Sequence, residues 1–405
     1  MQSCLALIPD EAERVYLAYS GGLDSSVLLH LLVSSQRPLP VIPWHVNHGL
    51  LDSAQQMERF CAEQAQRYGL EIRIDRLRLG DIERNIEAEA RHQRYQLFAS
   101  GCQQGDCVLT AHHADDQAET FLLNALRGSG SAGLRGIAAR RKLGSGLLLR
   151  PLLEFSRSQL EHYANRNELA WFNDPSNRDN RFDRNYLRNE VIPLIAARWP
   201  NFQTSLATSC RLQAETQQIL DEVAQLDYQA LAENAGGIDP SLDLPGLLRL
   251  SPERARNLLR FWIATAGLAA MPGARLREVM NQLGAKADAL PQIDMPDYSI
   301  RLYDRRLFLV RDQQSRDCHG VHEFGLQAVI EIDDCKLHLR REDLFRRLHI
   351  EDRQQQVTLR FRGEGQLPAD RHRLKRLFQK QRIPPWERQS TAQVYLDGKL
   401  AGLLR

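Results

Sequence analysis

Ser20-Gly21-Gly22-Leu23-Asp24-Ser25 brings two glycines, two hydroxyls and a carboxylate into six consecutive positions with no lysine among them. Two glycines let the backbone approach an anion, and the hydroxyls of Ser20 and Ser25 can bond phosphate oxygens. An apolar run, Val15-Tyr16-Leu17-Ala18-Tyr19, comes before, and Val27-Leu28-Leu29-His30-Leu31-Leu32 follows. That order reads as buried strand, tight turn and helix, so the helix start points free N–H groups and its positive dipole end at the turn. A bare Asp24 would repel phosphate there; a bridging Mg²⁺, which favours carboxylate and phosphate oxygens, reconciles the two. A glycine-rich strand-to-helix turn without chemistry is the competing reading.

A second cluster is Ala111-His112-His113-Ala114-Asp115-Asp116-Gln117-Ala118-Glu119-Thr120. Asp115 and Glu119 are four apart and share a helix face, with Asp116 and Thr120 on the adjacent stripe. Acids in a first helical turn also arise simply because they complement the dipole. Three carboxylates beside two histidines nevertheless call for a cation, either Mg²⁺ or an amine substrate. A carboxylate here can also take the proton that an attacking amine must shed. His45-Val46-Asn47-His48-Gly49-Leu50 ends another strand-like run, from which Asn47 and His48 could reach adenine or ribose; polar residues of a strand-end turn are the competing reading. Arg127-Gly128-Ser129-Gly130-Ser131-Ala132-Gly133-Leu134-Arg135-Gly136 suits a loop closing on phosphate, and equally an ordinary exposed loop.

The elements that must hold these groups alternate. Strand-like runs at Val15–Tyr19, Val41–Val46, Glu71–Ile74 and Cys107–Ala111 are separated by helical patterns, including Asp52–Tyr68 and Asn85–Ser100. Alternation at this spacing predicts a doubly wound, parallel α/β sheet whose ligands bind beyond the C-terminal strand ends, where Ser20 and His112 lie. Past Trp199-Pro200 the chain turns Ala-, Gln- and Leu-rich, predicting a mainly helical middle domain over 200–318, with strand-like runs near 298–303 and 307–310. Ser251-Pro252-Glu253 reads as a capped helix start. Polar residues 312–319 read as a linker, and 335–405 as a small α+β domain. The boundaries expected are therefore 1–199, 200–318 and 335–405.

The 405 residues suffice for two or three cores, and 43% hydrophobic content fits a globular chain. Net charge is only +2, but its distribution is uneven: residues 341–405 hold 15 lysines and arginines against 8 acids. From Arg371 to Arg382 the apolar Leu374, Leu377 and Phe378 share a helical face, while Arg371, Arg373, Lys375, Arg376, Lys380 and Arg382 crowd the rest. Trp386 and Arg388 follow Pro384-Pro385. A helix without acids followed by an aromatic favours RNA, with phosphate contacts that position the partner without reading its sequence. Seven scattered cysteines without a CxxC pair argue for reduced thiols. Neither a signal peptide nor a membrane-spanning apolar run is evident, so a cytoplasmic protein without a membrane partner is expected.

SGGLDSS resembles the signature of the ATP-pyrophosphatase (PP-loop) superfamily. The ordered series SGGLDSS, HVNHGL, EARHQRY, HHADDQAET, RGSGSAGL, RPLL (150–153) and NDPSNRDNRFDRNYLRNEVIP (173–193) is more specific. It resembles the bacterial tRNA(Ile)-lysidine synthetases over the first 200 residues, and LKRLFQKQRIPPWER (374–388) resembles the end domain of their longer members. Two departures stand out: Leu51 where an arginine is usual, and Ala111 where glycine commonly precedes the histidines.

The resemblance implies a two-step ligation. ATP adenylates C2 of the wobble cytidine in the CAU-anticodon isoleucine tRNA, and the ε-amine of free L-lysine then displaces AMP. It also implies that Ser20, Gly21, Gly22, Leu23, Asp24 and Ser25 hold ATP, with Asp24 on Mg²⁺. Asp115, Asp116 and Glu119 would lie at the metal and amine side. Arg91, Arg94, Asn177, Asn185 and Arg188 would orient ATP, lysine or the target nucleotide, with Arg127 in the closing loop. Arg373, Arg376, Lys380, Trp386 and Arg388 would meet tRNA, and a homodimer is left open. Three alternatives remain. A tRNA 2-thiolating relative would present catalytic cysteines, and Cys102 and Cys107 have the wrong spacing. A small-molecule PP-loop ligase would need no basic end domain, and a non-catalytic tRNA-binding module would tolerate decay of the acids.

Overall fold

The computed structural model describes all residues except 36, 48, 50–53, 78–85, 174–178, 234–239, 286–291, 312–319, 326, 333–336, 349, 351–354, 362–369 and 405, and except the side chains of 86–88 and 285. His48, Asn177, Leu51, Cys318, Cys335 and the expected linker therefore lie outside the described residues. The chain divides into two compact units, Met1–Gln218 and Ile219–Arg405.

In the first unit, β1 (Arg14–Ala18), α1 (Leu23–Val33), β2 (Val41–Asn47), α2 (Ala54–Arg67), β3 (Arg73–Arg76), α3 (Ile86–Gly101), β4 (Asp106–Leu109) and α4 (Ala114–Leu126) alternate as the apolar spacing requires. After α5 (Ser131–Leu134) the chain forms β5 (Arg140–Leu143) and β6 (Gly146–Leu149), then α6 (Arg157–Arg166). The sheet order is β3-β2-β1-β4-β6-β5. β1, β2, β3, β4 and β6 run parallel, and β5 pairs antiparallel with β6 at the edge. Buried on both faces, β1 has no alternation. Leu17 joins Val27, Leu28, Leu31 and Leu109 in one core layer, whereas Tyr16 joins Trp44, Phe98, Val108 and Leu148 in the other. Because β1 leads on to β2 on one side while β4 lies on the other, their C-terminal ends flank the switch point of the sheet.

The unit ends in a continuous helical stretch: α7 (Asp183–Tyr186), a π-helical turn at Leu187–Val191 and α8 (Ile192–Arg198). Such turns are rare and concentrate at functional sites. A long helix, α9 (Phe202–Leu231), follows, and Phe202 packs with Ile192 on Ala118 of α4.

The second unit takes in the end of α9 from Ile219 and continues with β7 (Ala232–Glu233), β8 (Ser241–Asp243), α10 (Leu244–Arg249), α11 (Pro252–Thr265), α12 (Gly273–Ala285), β9 (Gln292–Asp294), β10 (Tyr298–Tyr303) and β11 (Arg306–Arg311). The middle of the chain, expected to be mainly helical, thus also carries a five-stranded sheet, β7-β8-β11-β10-β9. Its strands are short and their apolar residues are split between turns, so the helices dominate the sequence pattern. Ser251 caps α11 by accepting from the Arg254 N–H, with Pro252 in the first turn. That cap aims Leu258, Leu259, Trp262 and Ile263 at Ile293, Tyr298, Ile300 and Leu307 of the sheet. The remaining elements are β12 (Val321–Glu323), β13 (Val329–Ile332), β14 (Leu337–Arg340), α13 (Arg341–Leu348), β15 (Val357–Arg360), α14 (Arg371–Lys380), β16 (Ala392–Leu396) and β17 (Lys399–Leu404). β12-β15-β16-β17 form one sheet, with β13-β14 a separate hairpin. Among the described residues, no helix is long and apolar enough to cross a membrane.

Candidate active site

The turn after β1 is built around Gly21, whose φ of +77° is a left-handed conformation. A Cβ there would also stand 2.9 Å from Cys61 Sγ and 3.1 Å from the Phe60 ring of α2. Gly21 is therefore required twice over. Its carbonyl accepts the Phe172 N–H at 2.8 Å, fastening a distant segment to the turn. Ser20 and Ser25 lie hydroxyl to hydroxyl at 3.1 Å, and Ser25 donates to the Gly22 carbonyl at 3.0 Å. Leu23 turns its side chain into the core, so only its backbone is open to a ligand. Gly22 starts α1 with no side-chain cap, which leaves the first N–H groups of that helix for an anion.

β4 delivers the second half of the site. Its continuation, Thr110, takes up the Leu149 carbonyl from β6, and Thr110 Oγ1 and His112 Nδ1 lie 2.8 Å apart. His113 starts α4, its N–H donating to Asp116 Oδ2 at 3.0 Å. The buried imidazole is the hinge between the two halves. Its Nε2 is 3.6 Å from Asp24 Oδ2 and 3.5 Å from Asp116 Oδ2, while Nδ1 is 3.5 Å from Asp115 Oδ2. Burial alone would push the His113 pKa down, but Asp115, Asp24 and Asp116 together push it up to about 10. The Asp115 carboxylate is desolvated too, yet His113, the Arg157 N–H at 2.8 Å and Gln203 bring it down to about 2. His112 shifts the other way: burial, with Arg150, Arg91 and Arg184 nearby, outweighs Asp116 and keeps it neutral.

The acids of α4 do not face open solvent. Glu119 is 0% exposed. Its oxygens accept from Arg184 Nε at 2.6 Å, Arg188 Nε at 2.6 Å and Arg188 Nη2 at 3.0 Å. Asp116 Oδ1 accepts from Arg184 Nη2 at 2.7 Å and Arg188 Nη2 at 3.3 Å. The cation demanded by Asp116 and Glu119 is thus supplied by the protein, through two arginines one helical turn apart across the π-helical turn. Arg188, expected to orient ATP, lysine or the target nucleotide, is held here by Glu119. Asp24 differs, because its Oδ1 is buried without a hydrogen-bond partner, while Arg157 Nη1 is 3.8 Å from Oδ2. A cation on that oxygen would complete the site, so the residues present fit Mg²⁺.

Similarity to known proteins bears on this arrangement. A PP-loop domain family matches residues 2–195, a TilS substrate binding domain matches 242–308 and a TilS substrate C-terminal domain matches 348–403. A tRNA(Ile)-lysidine synthase of Serratia proteamaculans is 38% identical over 400 residues, covering 96% of this chain and 90% of its own. That of Coxiella burnetii is 35% identical, covering 96% and 88%. The chain belongs to the tRNA(Ile)-lysidine synthase family.

As a member of that family, the chain is a ligase-type enzyme with a PP-loop α/β core. The other candidate residues have contacts of their own. Asn47 is buried, donating to Glu58 Oε2 at 2.7 Å and accepting the Gly49 N–H, so its amide is not open to adenine or ribose. Asn185 donates to the Asp179 carbonyl at 2.9 Å, and exposed Arg127 pairs with Asp183 at 3.1 Å. Arg91 and Arg94 flank the Tyr95 ring. In the second unit, Arg373, Arg376 and Lys380 project outward while Leu374 and Phe378 are buried. Trp386 packs its ring on Tyr303 and Phe308, centroids 6.2 and 5.7 Å away. Arg388 bonds the Ile383 carbonyl at 3.1 Å. Both are half-buried, held by contacts that spacing does not reveal. Pattern reading missed His113, Arg157 and Arg184. The i,i+4 pair Arg184/Arg188 opposite the i,i+3 pair Asp116/Glu119 was the available signal.

Proposed function

We propose that this chain joins lysine to the wobble cytidine of the CAU-anticodon isoleucine tRNA in two steps at the His113 hinge. In the first, the cytidine C2 oxygen attacks the α-phosphorus of ATP and pyrophosphate leaves. In the second, the lysine ε-amine attacks C2, AMP departs with the former C2 oxygen, and the amine loses a proton. The observation that supports one shared site is His113 lying within 3.6 Å of both Asp24 and Asp115. It ties the glycine turn to the head of α4.

Each group has a role its surroundings suit. The N–H groups opening α1 and the hydroxyls of Ser20 and Ser25 receive the ATP phosphates. Asp24 would hold Mg²⁺, which when bound neutralises charge building on the leaving pyrophosphate. Asp115, ionised and at the edge of the buried network, is placed to draw in the lysine ammonium. Asp116 and Glu119 act at one remove, by fixing Arg184 and Arg188, whose charge faces the same site. Outward Arg373, Arg376 and Lys380 supply phosphate contacts for tRNA.

The test incubates the protein with ATP, labelled lysine and an isoleucine tRNA transcript bearing CAU, followed by nucleoside mass analysis. Lysine on cytidine supports the reading, and its absence sinks it. Asp24→Asn should lose at least a thousandfold in turnover while tRNA affinity stays within about twofold. A thiolating relative would instead transfer sulfur. Against that reading, four of the five cysteines among the described residues are buried, and burial raises the thiols of Cys61 and Cys102 to about 12 and about 11.

A further inference from the structure

Tyr95 of α3 stands inside a ring of arginines that the ligation steps above leave unused. The guanidinium carbons of Arg141, Arg91 and Arg94 lie 4.7, 5.4 and 5.8 Å from the centre of its ring. Arg150, only 5% exposed, reaches the same place from the end of β6, with Nη1 donating to the Ala138 carbonyl at 2.5 Å. Tyr95 Oη faces the Arg150 guanidinium and is its side-chain partner, while Arg150 Nε finds no other acceptor within the protein. No carboxylate among the described residues forms an ion pair with Arg91, Arg141 or Arg150. A phenol and one carbonyl partner Arg150 but leave the summed charge of the cluster unneutralised, and an anion would lower that cost. Guanidinium forks match phosphate oxygens best.

The position of the cluster says which side of the reaction it serves. β1, β4 and β6 are consecutive in the sheet. With strands about 4.8 Å apart, Arg150 sits about 10 Å from the glycine turn at the same edge. His112, at the end of β4, lies between them and feels the charge of Arg150 and Arg91.

We propose that Arg91, Arg141 and Arg150, gathered round Tyr95, form a second phosphate-binding site, separate from the glycine turn. This rests on the reading of the chain as an RNA-adenylating ligase, and the phosphate belongs either to the tRNA backbone beside the target cytidine or to departing pyrophosphate. Tyr95 and Arg150 form the floor and the two exposed arginines the rim.

The experiment compares the full-length protein with Arg91→Ala/Arg141→Ala, both at exposed positions, and with Arg150→Met. Binding of sodium pyrophosphate is read by calorimetry. Binding of the isoleucine tRNA transcript is read by filter retention from 50 to 300 mM salt. If the site takes RNA phosphate, the double variant loses at least tenfold in tRNA affinity and its log–log salt slope flattens by about 1 to 2, with pyrophosphate binding unchanged. If it takes pyrophosphate, that affinity falls at least tenfold and the tRNA slope holds. Both affinities staying within twofold of wild type in the double variant overturns the site. Should Arg150→Met fail to fold, as a melting curve shows, the exposed pair alone decides. Lysine transfer is scored separately: wild type that binds through these arginines yet transfers no lysine refutes the proposed function and leaves the phosphate site standing.

Discussion

Removing the Glu119 carboxylate separates a buried ion network from an exposed acid awaiting a metal. Glu119 is fully buried and accepts three hydrogen bonds of 2.6 to 3.0 Å from two guanidiniums whose side chains are about 30% exposed. Glu119→Ala leaves Arg184 and Arg188 sharing Asp116 alone. Stranding one partner of a buried pair costs about 3–5 kcal/mol. For a unit the size of Met1–Gln218, each kcal/mol moves the melting temperature by about 2–4 °C, so the fall should be roughly 6–20 °C. Glu119→Gln keeps the shape and loses the charge, and should fall between. The assay is thermal unfolding by circular dichroism, repeated with Mg²⁺ added. Loss of stability in Glu119→Ala should be the same with and without the ion, because arginine rather than metal occupies those oxygens. A melting temperature within about 2 °C of wild type, or a Mg²⁺-dependent gain that the variant abolishes, refutes the reasoning.

Other perturbations follow from single contacts. Gly21→Ala places a methyl 2.9 Å from Cys61 Sγ in a left-handed backbone, which should cost about 1–3 kcal/mol and weaken ATP binding at least tenfold in equilibrium titration. Arg373→Glu/Arg376→Glu should lower tRNA affinity and flatten its salt slope by about 2, with no change in melting; an unaltered slope excludes α14 from the RNA surface. Trp386→Ala should destabilise the second unit by about 2–3 kcal/mol, through loss of its ring contacts with Tyr303 and Phe308, while leaving the salt slope unchanged. A flattened slope with normal melting would restore Trp386 as an RNA contact.

What sequence reading reached and what it missed divide along chain distance. The strand, turn and helix around Gly21, and the start of α4 at His113, are local patterns, set by apolar runs and capping, and their placement at neighbouring strand ends follows from parallel topology. The partners of those groups are not local. Arg184 and Arg188 meet Glu119 across 65 and 69 residues, and Arg157 meets Asp115 across 42. Spacing marks Arg184/Arg188 and Asp116/Glu119 each as a helical stripe but does not say that the two stripes meet, and an arginine in a helix reads as surface charge until its burial is seen. Asn47 shows the reverse: its side chain suits a ligand, yet both ends of its amide are engaged within the protein. In the middle region the longer strands β10 and β11 were legible as apolar runs, whereas β7, β8 and β9, of two or three residues each, were too short to show beside the helices.

The reaction can be followed through a single oxygen atom. Isoleucine tRNA carrying ¹⁸O at C2 of its wobble cytidine is turned over with ATP and lysine, and the AMP is weighed by mass spectrometry. Adenylation at the C2 oxygen followed by amine displacement leaves one ¹⁸O in each AMP and none in the modified base. AMP without the label, or ADP as the nucleotide product, contradicts it.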